Sequence, residues 1–167
     1  MKVNLGKYPK NSERRIDVRI ENHDTWNLDH TLSLIILPAL LQLKATKHGV
    51  PGDFANAGGD NTDTQYSFDF YSETADEAFN EKVKQWDTVL DKMIWSFQQL
   101  SVAPDYEEKY FHGKSDISFA PSGNGNYTLV DKNPGNHWYD HVGHVLHEKR
   151  IQEGIDLFAK YYRALWD

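Results

Sequence analysis

WNLDHTLSLIILPALLQLKATKHG, residues Trp26 to Gly49, is the most apolar segment of an otherwise polar chain. Its apolar residues recur at helical spacing. One stripe runs His30, Leu34, Leu37, Leu41, Lys44, His48, and a second runs Asp29, Ser33, Ile36, Leu40, Leu43, Lys47. Leu and Ile lie on almost every side, the pattern of a central helix contacted by several elements. Asp24 or Thr25 is the expected N-cap, because either side-chain oxygen can accept from a first-turn amide. Pro38 removes one backbone donor and is expected to kink the helix, while Gly49 and Pro51 are expected to end it.

Two further helices follow downstream. Thr74-Ala75-Asp76-Glu77 has the capping-box form. Behind it Phe79, Val83, Trp86, Leu90, Met93, Phe97 and Leu100 make an unbroken heptad seam, stopped by Pro104. The last helix is expected to begin between Asn136 and Asp140, with a seam of Ile151, Ile155, Phe158, Tyr162 and Leu165. Strand patterns lie between and before the helices. Arg15 to Glu21 alternates Ile16, Val18 and Ile20 against Asp17 and Arg19, which predicts a half-buried strand. Gln65 to Tyr71 reads as another. Asp116 to Ala120 and Tyr127 to Asp131 flank PSGNGN and predict a hairpin with a longer turn. The expected fold is α+β and mainly helical, with three long helices around one core and a small antiparallel sheet or hairpin. It is read as one domain, with residues 1–14 as an N-terminal arm and 51–73 and 105–136 as irregular or short-strand insertions.

Composition narrows the function. Five Trp, nine Tyr and eight Phe in 167 residues argue for a packed domain and against disorder. With no cysteine there is no disulfide, thiolate metal site or cysteine nucleophile. A formal charge of −7 argues against generalised binding to nucleic acid or to an anionic membrane, both driven by clustered Lys and Arg, though a local basic patch is compatible with it. The longest strongly apolar run, Leu34 to Leu41, is short for a bilayer span and contains Pro38. The N-terminal segment lacks the apolar core of a secretion signal.

No nucleophile elbow, P-loop or dinucleotide fingerprint is present, so no catalytic residue is assigned and no cofactor is implied. His137, His141 and His144, spaced by four and three, would share one helix face with Glu148 and could together hold Zn, Ni or Cu. The spacing matches no established metal signature, and the plainer reading is a polar extension of the last seam, so no metal ligand is assigned. Asp29 and His30 are adjacent and point about 100° apart on a helix. A hydrogen-bonded core histidine is the commoner outcome there. Lys44, Lys47 and His48 favour the negative end of their helix dipole. The sharper expectation is an anion site shared with Arg150 or Lys160 and walled by Trp26 or Tyr161. The candidate ligand-binding set is therefore Trp26, Asp29, His30, Lys44, Lys47, His48, Arg150, Lys160 and Tyr161.

Three pieces, Asp24 to Pro51, Gln85 to Phe97 and His147 to Asp167, resemble a family of small tailed-bacteriophage proteins of unknown function. The shared motifs are the Asp-His-Thr-Leu of Asp29 to Leu32, the Lys-x-Thr-Lys-His-Gly of Lys44 to Gly49, the Trp-Asp-x-Val-Leu-Asp of Trp86 to Asp91, and the Lys-Tyr-Tyr-x-x-Leu-Trp-Asp of Lys160 to Asp167. The chain departs from that pattern at DFANAGGDNTD, where the family has an acidic loop, and in His137, His141 and His144. The resemblance implies a phage protein made in the host bacterial cytoplasm and implies no activity. The expected function is an accessory protein that binds a host protein, in takeover or counter-defence, or a small anionic ligand such as a nucleotide signal. A small metal-dependent hydrolase and a virion structural or assembly protein, which would self-associate as a homo-oligomer, are the alternatives.

Overall fold

The computed structural model describes residues 1–10, 13–52, 73–102 and 107–166; of residues 73–76 and 78 it describes the backbone alone. The fold is α+β and mainly helical. Elements run β1 (Lys2–Leu5), β2 (Ile16–Arg19), α1 (Leu28–Thr46), α2 (Glu73–Ser101), β3 (Phe111–Gly113), β4 (Ile117–Gly123), β5 (Asn126–Asp131), β6 (His137–Tyr139) and α3 (His141–Tyr161). The chain resolves into two compact units, residues 1–101 with 151–167, and residues 102–150.

The first unit holds a buried cluster built from three helices. Leu40 comes from α1, Trp86, Leu90, Met93, Ile94 and Phe97 from α2, and Tyr161 and Ala164 from the end of the chain. The heptad seam of α2 is buried from Trp86 to Phe97, while Phe79 at its start is exposed. The α3 seam keeps Ile151, Phe158 and Leu165 of the expected one but shifts by one residue at two positions, from Ile155 to Gly154 and from Tyr162 to Tyr161. Tyr161 is buried with its ring edge-on to Trp86 at 5.4 Å, and Tyr162 is 64% exposed. The cause is Gly154, whose missing side chain lets α3 close onto α2. A Cβ there would lie 2.0 Å from Ser96 Oγ and 2.6 Å from the Lys92 carbonyl oxygen. The seam follows that contact through Ile151, Gly154, Phe158, Tyr161 and Leu165.

α1 begins later than expected. Residues Asn22–Thr25 form a separate 3-10 turn, in which the Glu21 N–H donates to Asp24 Oδ2 at 2.8 Å. The Met1 ammonium also pairs with Asp24, and these two partners hold its carboxyl below the usual carboxylate range. Asp24 therefore caps the turn rather than the helix. α1 runs through Pro38 and ends at Thr46, ahead of Gly49, where Lys47 turns extended. Only Ser33 and Leu40 of α1 are buried; Leu28, Leu32, Leu34, Ile35 and Leu41 are exposed. By length and composition this one helix among the described residues is apolar enough to cross a membrane.

β1 and β2 pair antiparallel, with Val3 opposite Val18 and Leu5 opposite Ile16. The alternation reads correctly as a strand, but the strand is not half-buried. Ile16, Val18 and Ile20 are 65%, 48% and 59% exposed, because a two-stranded ribbon has no second layer to cover its apolar face.

The second unit contains two antiparallel pairs, β3 with β6 and β4 with β5. The predicted hairpin forms, with Phe119 opposite Leu129. Its turn is tighter than expected: the strands continue through Pro121 and Ser122, leaving Asn124 and Gly125, both at positive φ, as the two-residue connection. The second strand expected at Gln65 to Tyr71, the capping box at Thr74 and the stop at Pro104 lie outside the described residues or side chains.

Candidate functional site

The polar ends of α1 are tied into the first unit. His30 Nδ1 donates to the Leu100 carbonyl oxygen at 3.0 Å, which joins the start of α1 to the end of α2 and makes it a satisfied, half-buried histidine. Exposed Asp29 lends its carbonyl oxygen to Ser33 Oγ at 2.6 Å. At the other end Lys44 pairs with Asp91, and Lys47 Nζ lies 2.8 Å from Asp87. Both lysines thus cross from α1 to acidic residues of α2, so their charges are already balanced. His48 is exposed just beyond. Lys160 lies over the Tyr161 ring at 4.9 Å, and Tyr161 itself is a core residue. Trp26 is 77% exposed and tilted against His23. Arg150 belongs to the second unit.

The histidine-rich segment folds differently from the expected single face. His137 lies in β6, not on α3, with Nδ1 3.4 Å from Asp131 Oδ2. The helix starts only at His141, because Asp140 caps it there, accepting the Gly143 N–H at 2.8 Å. A strand and a helix cannot place His137, His141 and His144 in one row. Among the described residues no three His, Asp or Glu side chains converge as metal ligands would.

What forms instead is a pair of phenol–imidazole contacts in the second unit. Tyr139 Oη is hydrogen-bonded to His144 Nδ1, and Tyr110 Oη lies 2.5 Å from His147 Nδ1. The opposite nitrogen of His144, Nε2, lies 3.6 Å from Glu148 Oε1. At that separation the carboxylate and imidazole do not form a hydrogen bond, and His144 Nε2 is buried without a hydrogen-bond partner among the described residues. The Tyr110 ring sits against both imidazoles, at 5.3 Å and 5.8 Å. Burial pushes both phenols above their ordinary value and the His147 imidazole below its own, with Lys109 adding to the latter. The phenols therefore stay protonated and His147 neutral at physiological pH. The arrangement can share a proton between Tyr139 and His144 and between Tyr110 and His147. Its partners were missed in the sequence: Tyr139 is five residues from His144 and was in view, but Tyr110 is 37 residues from His147 and no local pattern links them.

The molecule thus belongs, by architecture, to the mainly helical α+β proteins. No protein-family model, curated protein or solved structure matches the chain.

Proposed function

We propose that this chain is an accessory protein of a tailed phage that acts in the host bacterial cytoplasm by binding a host protein rather than by turning over a substrate. The phage origin rests on the motif resemblance. The binding reading rests on one observation above others: the β4–β5 hairpin carries Phe119 and Leu129 directly opposite each other, 73% and 61% exposed. Contiguous exposed apolar patches, rather than single side chains, mark interaction surfaces, and the neighbouring pair Pro121 and Tyr127, the latter 67% exposed, continues this one. The three helices, joined through Leu40, Trp86 and Tyr161, serve in this reading as the scaffold around one core.

The small-anion version has less support, since Lys44 and Lys47 already face Asp91 and Asp87. The hydrolase alternative loses its histidine face. Self-association, as an assembly protein would show, is an outcome of the same experiment. Tagged wild-type chain and the Phe119→Asp/Leu129→Asp variant are compared in capture from infected-host lysate, with sedimentation of each alone. A discrete partner held by the wild type and lost in a variant of unchanged melting temperature supports the reading. Identical captures from both overturn it.

A further inference from the structure

The negative balance of the chain is not shared by its beginning. Among residues 1–20, Lys2, Lys7, Lys10, Arg14, Arg15 and Arg19 stand against only Glu13 and Asp17, a net of +4 in a chain of −7. Arg19 and Asp17 offset each other, with Nε 3.4 Å from the carboxylate, which leaves Lys2, Lys7, Lys10, Arg14 and Arg15 against Glu13. The ribbon has an apolar face in water: Val3 and Leu5 are 39% and 51% exposed, opposite the still more open Val18 and Ile16. Lys2 and Arg19, cross-strand partners, alternate onto its other face, while Lys7, Lys10, Arg14 and Arg15 belong to the connection between its strands.

We propose that the β1–β2 ribbon docks on an anionic lipid bilayer, with its apolar face at the acyl boundary and its cations among the headgroup phosphates. Charge complementarity selects the occupant. A nucleic-acid backbone would answer the cations but leave the apolar face hydrated. A bilayer interface answers both, since binding there sums apolar burial and attraction to anionic headgroups. Tyr8, between the two strands with Arg14 4.3 Å over its ring, and Trp26, beyond β2, are 82% and 77% exposed, and Tyr and Trp concentrate at membrane interfaces. α1, in the same unit, adds exposed Leu28, Leu32 and Ile35. It rests on the surface rather than spanning, because Lys44 and Lys47 bind it to Asp91 and Asp87 of α2, which spanning would drag into hydrocarbon.

The full chain is floated with vesicles of phosphatidylcholine alone and of phosphatidylcholine with phosphatidylglycerol, at low and high salt. Co-flotation is expected with the anionic vesicles only, and largely lost at high salt. Reversing two exposed charges, Lys10→Glu/Arg15→Glu, should weaken it by about tenfold or more. Ile16→Ser/Val18→Ser should weaken it as well, with circular dichroism checking that the ribbon survives; the charge variant carries the test if it does not. No flotation overturns the proposal. So does equal flotation on neutral vesicles that ignores the charge variant, which would point to α1. Tighter binding to mixed-sequence duplex DNA, competing the chain off vesicles, would reassign the surface to nucleic acid.

Discussion

Gly154 of α3 backs directly onto Ser96 of α2, so closely that a Cβ on the glycine would lie 2.0 Å from the serine Oγ and 2.7 Å from its Cβ. Gly154→Ala must push the helices apart. Overpacking of this kind costs about 1–3 kcal/mol, and urea melts of the variant should show it. Ser96→Ala should not rescue the loss, because the Lys92 carbonyl oxygen, 2.6 Å from the same point, remains. Full rescue would mean that only the hydroxyl conflicts.

The α2 seam is unequal along its length. Leu90 is fully buried, and Leu90→Ala should cost about 2–5 kcal/mol. Phe79 is 51% exposed, and Phe79→Ala should cost less than about 1 kcal/mol. Equal losses in denaturant melts would contradict the buried and exposed ends described above.

Of the two ion pairs between α1 and α2, Lys44–Asp91 is the more open to solvent, with side chains 33% and 59% exposed, whereas Lys47 is 13% exposed. A double-mutant cycle on Lys44 and Asp91 should give a coupling of about 0.2–1 kcal/mol, shrinking in high salt. Lys44→Ala/Lys47→Ala should stay folded. Binding of a nucleotide or other small anion that is abolished in this variant would revive the anionic-ligand reading.

His147 makes stability depend on pH with a definite sign. Burial lowers its folded pKa below the ordinary value of about 6.5. Between those two values the unfolded chain binds the extra proton, so stability falls as pH drops through about 6.5 and levels off below the folded value. His144, Glu148, Lys109 and Arg150 surround the group electrostatically. His147→Asn should remove that part of the slope in melts between mildly alkaline and mildly acidic buffer. A slope unchanged in the variant would assign it to other groups.

Whole-chain charge concealed the ribbon. A sum of −7 over 167 residues says nothing of where six cations gather, and the strand alternation of Ile16, Val18 and Ile20 says which residues share a face but not whether anything covers it. Local rules did determine the three helices, the strand at Ile16, the hairpin around Asn124 and Gly125, and the buried middle of the Trp86 to Phe97 seam, because periodicity and turn chemistry act within a few residues. What only the tertiary structure decided depends on partners distant in sequence. The Gly154 to Ser96 contact turned the last seam from Tyr162 to Tyr161; Asp91 and Asp87 took up Lys44 and Lys47; Leu100 received His30; and Tyr110 reached His147. Each joins residues tens of positions apart, so the chemistry of each side chain was set by a neighbour that no window on its own segment contains.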